Sequence, residues 1–279
     1  MKRGKKLSAG KILFTILLYI VGFTMLAPLI WMISTSFKVE TEVFNFPIEW
    51  IPKTFVGMKN YGIVWGDEYN FGMYYWNSIK ITVISTALQI LISALGAYGF
   101  TKVRWKWRDK VFLLYLATMM IPPQVMIVSR FVIMTELKLY NTHEGLIMMT
   151  MFSTYGVFLL RQAMMGIPDS LCESARIDGA SHFCIFRKII LPLITPAIAT
   201  LTILKFVWTW NDYQMPLIFL SKRSLFTIQL GMKIFATESG SIYSLMMAAA
   251  VSAILPLIIV FLFGQRYIID GIASGAVKE

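Results

Sequence analysis

Six long apolar runs are the main constraint on this chain. Most of them approach or exceed the roughly 20 residues that a helix needs to cross a lipid bilayer. Of the 279 residues, 57% are hydrophobic and only 15% are charged, a lower charged share than in soluble domains. We therefore predict an all-α integral membrane protein with six transmembrane helices. The runs are 12–34, 79–100, 111–135, 145–160, 191–218 and 244–263.

The spans are expected to be helical because backbone groups in hydrocarbon find no water to bond, and the runs lack the alternation of a membrane barrel. The fourth run is short and contains Thr150, Ser153, Thr154 and Tyr155, so it is expected to face other helices. The first run is interpreted as a retained anchor, because it is longer than a signal-peptide core and no cleavage pattern follows it.

Basic residues are distributed unevenly between two sets of loops. The set that includes both chain ends carries 16 lysines and arginines, whereas the opposite set carries 7. The positive-inside rule places the richer set in the cytoplasm, so both termini are predicted to be cytoplasmic. The net charge of +11 is thereby explained by topology and by attraction to anionic headgroups, and no nucleic-acid partner is predicted. The predicted regions are a basic N-terminal tail 1–11, a transmembrane domain 12–263 and a C-terminal tail 264–279.

The loop 161–190, between the fourth and fifth runs, has the pattern of two short helices joined by a hinge. Ser170 and Glu173 match a capping box after Pro168 and predict the start of the first helix. Gly179 predicts its left-handed end. Ser181 predicts the cap of a second helix, and four of the apolar residues there are expected to share one face: Phe183, Phe186, Ile190 and Ile194.

This loop resembles the EAA loop of ABC importer permeases, whose pattern is Glu-Ala-Ala, three residues, Gly, nine residues, Ile, one residue and Leu-Pro. Ser174 replaces the middle alanine. The resemblance implies that the loop, within 161–192, docks on a separate ATPase subunit. The alternative is an ordinary interfacial turn in which Glu173 only closes the capping box. The implied coupling residues are Glu173, Ser174, Ala175, Asp178, Gly179, Leu191 and Pro192, and Ile189 also fits the pattern.

Other segments are similar to permeases of maltose-type carbohydrate importers, in particular the second permease of the pair. The alternative for the loop after the first run is an aromatic belt at the membrane interface. The segments are Phe46-Pro47, Trp50, Pro52-Lys53, Asn60-Tyr61, Asn141-Thr142, Trp210-Asn211, Gln265-Arg266-Tyr267, Gly271-Ile272 and the stretch from Gly275 to Lys278.

The resemblance implies type I ABC importer architecture and import of a sugar or oligosaccharide through the cytoplasmic membrane of a prokaryote. It implies four kinds of partner in addition to the lipid bilayer: a second permease in a heterodimer, two ATP-binding subunits, an extracellular solute-binding protein and the sugar itself. ATP and Mg would bind the ATPase subunits, and no cofactor is expected on this chain.

Polar residues in and near the fifth run are the predicted substrate-pathway residues. A lysine in the middle of a span is expected to face a cavity or a partner, because insertion costs about 2.5–3.5 kcal/mol. An equally open alternative is that Lys205 pairs with a carboxylate of the sister permease. The residues expected to line or brace the path are Lys205, Trp208, Asn211, Asp212 and Tyr155.

Several other functions are weighed against this one. A permease for a non-sugar solute such as glycerol phosphate stays open. An ion-coupled secondary transporter would require paired intramembrane carboxylates or inverted repeats, and neither is apparent. The two cysteines, Cys172 and Cys184, are too few for a disulfide scaffold or a zinc cluster, and the two histidines, His143 and His182, lie in different loops. No metal site and no intramembrane enzyme are therefore predicted.

Overall fold

The structure is a computed structural model that describes residues 9–237 and 240–276, with side chains for 10–236 and 242–266. Of the predicted tails, residues 1–8 and 277–279 lie outside the described residues, whereas 264–276 are helical. The described chain is mostly helical: α1 (Ala9–Ser36), α2 (Lys59–Trp65), α3 (Phe71–Thr101), α4 (Arg108–Ala117), α5 (Ile127–Glu136), α6 (His143–Thr150), α7 (Thr154–Met165), α8 (Asp169–Ile177), α9 (His182–Ile185), α10 (Leu191–Leu193), α11 (Thr195–Trp210), α12 (Gln214–Phe219), α13 (Ile228–Gly231) and α14 (Tyr243–Ala276).

Short elements complete the described chain. Strands β1 (Ala236–Thr237) and β2 (Gly240–Ser241) pair in antiparallel register. A π turn, Phe186–Ile190, joins α9 to α10. The 3-10 turns are Glu40–Glu42, Thr118–Met120, Arg223–Leu225 and Met232–Phe235.

Three of the six predicted spans are single long helices within residues 9–237 and 240–276. The segments long and apolar enough to cross a bilayer are Gly10–Ser36, Phe71–Thr101 and Tyr243–Arg266. The pair His182–Leu193 and Thr195–Trp210 meets the same criterion only as a span bent by 77°. The total of six spans and the cytoplasmic side of both termini stay predictions.

The expectation of one helix per run is wrong for the third, fourth and fifth runs, which are interrupted. In the third run the chain is extended at Ile121, because a residue before proline disfavours the helical conformation and Pro122 follows. In the fourth run α6 ends at Thr150, and α7 restarts behind Ser153, whose hydroxyl accepts a hydrogen bond from the Gly156 N–H at 3.0 Å. In the fifth run Asn211 ends α11.

The chain divides into two compact units, the first of which comprises the described residues up to Phe71 together with Met232–Ile254. Its core contains the fully buried Val64, Phe71 and Phe235. The Glu40 carboxylate accepts hydrogen bonds from the backbone N–H groups of Tyr243 and Ser244, at 2.9 and 2.7 Å. These groups have no partner inside α14, so Glu40 caps that helix.

The second unit comprises Gly72–Gly231 and the described residues from Leu255 onward. Its core joins α3, α7, α11 and the segment after α8. The side chains with no exposed surface at its centre are those of Leu160, Met164, Ile185, Ile190 and Leu201. This core fixes the loop that carries α8 and α9 against the C-terminal end of α3.

Candidate functional site

The first arm of the loop is α8, which ends at a glycine with left-handed backbone. Gly179 has φ +82°, and a Cβ built on it would meet nothing within 4 Å. The Gly179 N–H donates to the Arg176 carbonyl, and the Ala180 N–H donates to the Ala175 carbonyl, each at 2.9 Å. These are the two hydrogen bonds of a Schellman cap. The predicted role of Gly179 as the stop of this helix is confirmed.

The predicted capping box at the start of α8 is wrong. The helix begins at Asp169 with Pro168 at the N-cap and no side-chain cap, so Ser170 lies inside the first turn. Proline suits a helix entrance because its φ is already fixed, and Asp169 complements the positive end of the helix dipole. Glu173 therefore does not close a capping box, and its carboxylate is bound elsewhere.

The second arm starts at Ser181, as predicted. The Ser181 hydroxyl accepts a hydrogen bond from the Cys184 N–H at 3.3 Å. Phe186, Ile190 and Ile194 are buried in the core, whereas Phe183 is exposed. The prediction that all four apolar residues share one face therefore fails at Phe183, which lies one turn before Phe186 and leaves most of its ring outside the core.

Lys102, directly after α3, fixes the start of α8. Its side chain is only 3% exposed, and its Nζ donates to the Ile167 carbonyl at 2.6 Å and to the Asp169 carboxylate at 2.7 Å. The hydrogen bond and the charge of Lys102 lower the pKa of Asp169 below its ordinary value of 3.8. Near the other end of α8, Arg176 donates to the Lys102 carbonyl at 3.4 Å. One residue thus holds both ends of the helix.

Glu173 forms an ion pair with Arg104 at 3.0 Å on the outer surface of the loop. The side chains are 52% and 72% exposed, respectively. Exposed pairs of this kind contribute roughly 0–1 kcal/mol to stability. The carboxylate of Glu173 is consequently available to a competing partner at little cost.

The implied coupling residues fall on two surfaces. Ser174, Asp178 and Gly179 are exposed beside Glu173, with Ala175 half-buried behind them. Ile177, which the sequence did not single out, is 88% exposed on the same short helix. Leu191 and Pro192 do not join this surface, because they line a separate groove of about 500 Å³ with Ala87, Leu91 and Thr195.

Lys205 is buried, and its Nζ donates a hydrogen bond to the Thr150 carbonyl at 2.7 Å. Thr150 is the last residue of α6, where the interrupted helix leaves carbonyl groups unpaired. A cation at this position also complements the negative end of the helix dipole. The Thr150 hydroxyl donates to the Ser85 hydroxyl of α3 at 3.1 Å. Lys205 thus has a partner within its own chain at the break in the fourth run.

The other predicted pathway residues form two groups. The rings of Tyr155 and Trp208 lie 5.7 Å apart between centroids, with Trp208 exposed and Tyr155 half-buried. Asn211 and Asp212 lie beyond the end of α11. The Asn211 amide oxygen accepts a hydrogen bond from Gln229 at 3.4 Å, and the Asp212 carboxylate accepts one from the Met215 N–H at 3.1 Å.

Sequence reasoning missed Lys102, Arg104 and Thr150 as partners of the predicted site residues. In the sequence, Lys102 and Arg104 indicate only the orientation of the chain. A weak signal for such pairing exists in the sequence. A basic residue directly follows an apolar run, and the loop 161–190 contains Asp169 and Glu173. Thr150 accepts the hydrogen bond of Lys205 through its backbone carbonyl, so no side-chain pattern could reveal it.

The comparison that decides the family covers most of the second unit. The family described as binding-protein-dependent transport system inner membrane component matches residues 89–274. The chain belongs to this family. Its permease relatives include the arabinooligosaccharides transport system permease protein AraQ of Halalkalibacterium halodurans, 33% identical over 268 residues that cover 95% of this chain and 96% of that one.

Two further comparisons extend over nearly the full length. AraQ of Bacillus subtilis is 31% identical over 282 residues, covering 100% of this chain and 99% of that protein. A solved structure of a bacterial ABC transporter involved in the import of the acidic polysaccharide alginate has a TM-score of 0.84 at 26% identity. It covers 95% of this chain and 99% of that chain.

Membership of this family confirms the resemblance to ABC importer permeases. The chain is a transport subunit, not an enzyme, since its relatives are permease components of transport systems. It is a bacterial-type membrane protein with several apolar helices. The ion-coupled alternative is contradicted, because the family is one of binding-protein-dependent transport components.

Proposed function

We propose that this chain forms half of the translocation pathway of an ATP-driven importer for a sugar or an oligosaccharide. The observation that carries the proposal is its similarity, over at least 95% of its length, to permeases of arabinooligosaccharide transport systems. The other half would be a related second permease, with two ATP-binding subunits and an extracellular solute-binding protein completing the importer. ATP and Mg would bind the ATP-binding subunits.

Uptake measurements test the substrate class. Vesicles that contain the complete complex, with its solute-binding protein, should accumulate labelled oligosaccharide only when ATP is supplied on the side of the ATP-binding subunits. Glycerol phosphate, at the same concentration, should not be taken up. Uptake of glycerol phosphate without uptake of any tested oligosaccharide would replace the sugar with the non-sugar alternative.

The surface from Glu173 to Gly179 is the proposed contact with an ATP-binding subunit. Three observations support it: Ser174 and Gly179 allow close approach, Ile177 offers an apolar contact, and Lys102 holds α8 at both ends. A surface that is held rigidly in this way can transfer motion between subunits, because packed contacts switch between discrete arrangements. Leu191 and Pro192 would act indirectly, by fixing the start of the fifth run.

Two variants that break the same ion pair test this contact. Glu173→Gln and Arg104→Gln each remove the pair seen in the isolated chain, so each should change the stability of the chain by less than about 1 kcal/mol. If Glu173 docks on the ATP-binding subunit, only Glu173→Gln should weaken co-purification of that subunit and lower sugar uptake. Equal effects of both variants would mean that Glu173 acts only within this chain.

The proposed substrate pathway includes the Tyr155 and Trp208 ring pair and the polar group at Asn211 and Asp212. Aromatic faces and hydrogen-bonding groups together are what sugar recognition requires. Trp208→Ala should lower uptake while the complex still assembles. Lys205→Met separates bracing from lining: loss of complex stability indicates bracing, and loss of uptake alone indicates lining. Unchanged stability and uptake would remove Lys205 from the proposal.

A further inference from the structure

Helix α3 carries a stripe of polar side chains that faces the interior of the second unit. The members lie three, four or seven positions apart, a spacing that places them on one face of the helix. None of them is more than 5% exposed. Because α3 is suited to cross a bilayer, and lipid offers no hydrogen bonds, these groups need partners inside the protein. The residues of this polar stripe are Ser78, Thr82, Ser85, Thr86, Gln89 and Ser93.

Part of the polar stripe has such partners. The Ser78 hydroxyl accepts a hydrogen bond from the Ile228 N–H at 2.7 Å, and the Ser85 hydroxyl accepts one from the Thr150 hydroxyl at 3.1 Å. Buried polar groups of native proteins are nearly always paired with protein or with ordered water. Within the described residues, three buried polar atoms of the stripe have no hydrogen-bond partner: Thr86 Oγ1, Gln89 Nε2 and Ser93 Oγ.

Gln89 lies opposite the break in the fourth run. One turn before it on α3, Ser85 is bound to Thr150, the last residue of α6. One turn after it, Ser93 lies against Gly156, in the first turn of α7. The Gln89 amide is therefore placed between these two levels, beside the stretch where the chain has left one helix and has not yet entered the next.

The missing partner has to be small. A Cβ built on Gly156 would lie 2.5 Å from the Ser93 hydroxyl oxygen, so no larger side chain fits at that position of α7. Thr86, Gln89 and Ser93 are 5%, 3% and 0% exposed. A lipid headgroup or a side chain of the sister permease could not reach them unless the packing of the second unit opened.

Water fits these groups better than an ion does. The Gln89 amide nitrogen only donates, whereas the hydroxyls of Thr86 and Ser93 donate and accept, and a water molecule can do both. A metal cation is disfavoured by the amide N–H groups and by Lys205, which reaches the same break. An anion would lose its hydration on burial at a large cost. Buried water typically bonds about three otherwise unpaired polar groups.

We propose that ordered water molecules are bound between the polar stripe and the break in the fourth run, with hydrogen bonds to Gln89 Nε2 and to the hydroxyls of Thr86 and Ser93. The bound water stabilises the contact of α3 with α7 at a place where no side-chain hydrogen bond joins them within the described residues. This site involves no transported solute, so it does not depend on the proposed substrate class.

A density map of the full complex in nanodiscs, at a resolution at which buried water is visible, tests the proposal directly. In chloride buffer we expect a peak about 2.7–3.2 Å from Gln89 Nε2 and from at least one of the two hydroxyls. Replacing chloride with bromide should leave the peak height unchanged. A stronger peak in bromide would identify an anion and overturn the proposal. So would the lack of a peak in a map that shows other buried water molecules.

The sign of a stability change gives a second test. Thr86→Val keeps the shape of the side chain and removes the hydroxyl. If that hydroxyl binds water, the variant leaves the water and the Gln89 amide short of a partner, so the melting temperature of the complex should fall by a few degrees. Gln89→Met should lower it for the same reason.

Thr202→Val is the matched control, because the Thr202 hydroxyl donates to the Ile198 carbonyl of its own helix at 2.7 Å. Its melting temperature should change less than that of Thr86→Val. In a dry interior, removing an unpaired polar group would instead be stabilising. A higher melting temperature in Thr86→Val or in Gln89→Met would therefore overturn the proposal.

Discussion

Replacing Gly179 with alanine should destabilise the cap of α8, although the added Cβ would clash with nothing. A Cβ at this position meets nothing within 4 Å, and the backbone has φ +82°, so the whole cost is conformational. A residue other than glycine in the left-handed region costs roughly 1–2 kcal/mol. The Schellman hydrogen bonds to the Ala175 and Arg176 carbonyls depend on this conformation. We therefore expect the closed cap to lose a factor of about 5–30 in population relative to the opened loop.

Amide hydrogen exchange of the purified complex measures this effect, because exchange reports local opening. In Gly179→Ala the amides of α8 should exchange about 5–30 times faster, while those of α3 should not change. Gly166→Ala is the matched control: Gly166 also ends a helix of this region, but its φ is −70° and a Cβ there makes an ordinary contact at 3.5 Å.

Gly179→Asn should restore part of the protection, because asparagine tolerates the left-handed conformation better than alanine. Equal exchange of α8 in Gly179→Ala and Gly166→Ala would refute the reasoning. So would slower exchange in Gly179→Ala, since that result would mean that alanine only reduces the freedom of the unfolded chain.

Three further predictions concern the mounting of α8 and the packing of the second unit. Lys102→Met should lower the unfolding temperature of the complex, because losing both hydrogen bonds at the start of α8 costs about 1–3 kcal/mol; an unchanged temperature would contradict this role. Because the pKa of Asp169 is lowered, its pairing should be complete at neutral pH and be lost only as the pH falls below 3.8 toward that lowered value, seen as faster exchange in α8. Gly231→Ala should destabilise the complex by about 1–3 kcal/mol in a melting experiment, because its Cβ would lie 2.4 Å from the ring of the buried Tyr74, whereas Gly62→Ala, with open space around it, should not.

Local backbone signals in the loop were predictable from sequence. Gly179 and Ser181 act through hydrogen bonds to residues within four positions, so the residue type at one place determines the local structure. The start of α8 was predicted wrongly because two signals competed there. Pro168 initiates the helix before Ser170 can cap it, and sequence alone did not rank the two.

Breaks within apolar runs and contacts between distant residues were not predictable in the same way. Hydropathy measures length and polarity, but it does not record where the backbone stops being helical, as it does between Thr150 and Ser153. The bond from Lys205 joins residues 55 positions apart. Its existence depends on how the last residue of α6 approaches α11, which the periodicity of neither segment specifies. The spacing of residues along the loop was enough to relate it to the family. The hydrogen bonds that tie Lys102 to both ends of α8 can be seen only in the folded structure.

A 77° bend after Leu193 turns the chain between the second arm of the loop and α11. The segment from His182 to Leu193 and the helix that follows it are nearly perpendicular, so a thrust along the first resolves mainly sideways on the second. A straight helix pushed along its own axis would slide past its neighbours. A push on the bent end of α11 would instead rotate that helix, and the displacement of its side chains would then grow with their distance from the bend.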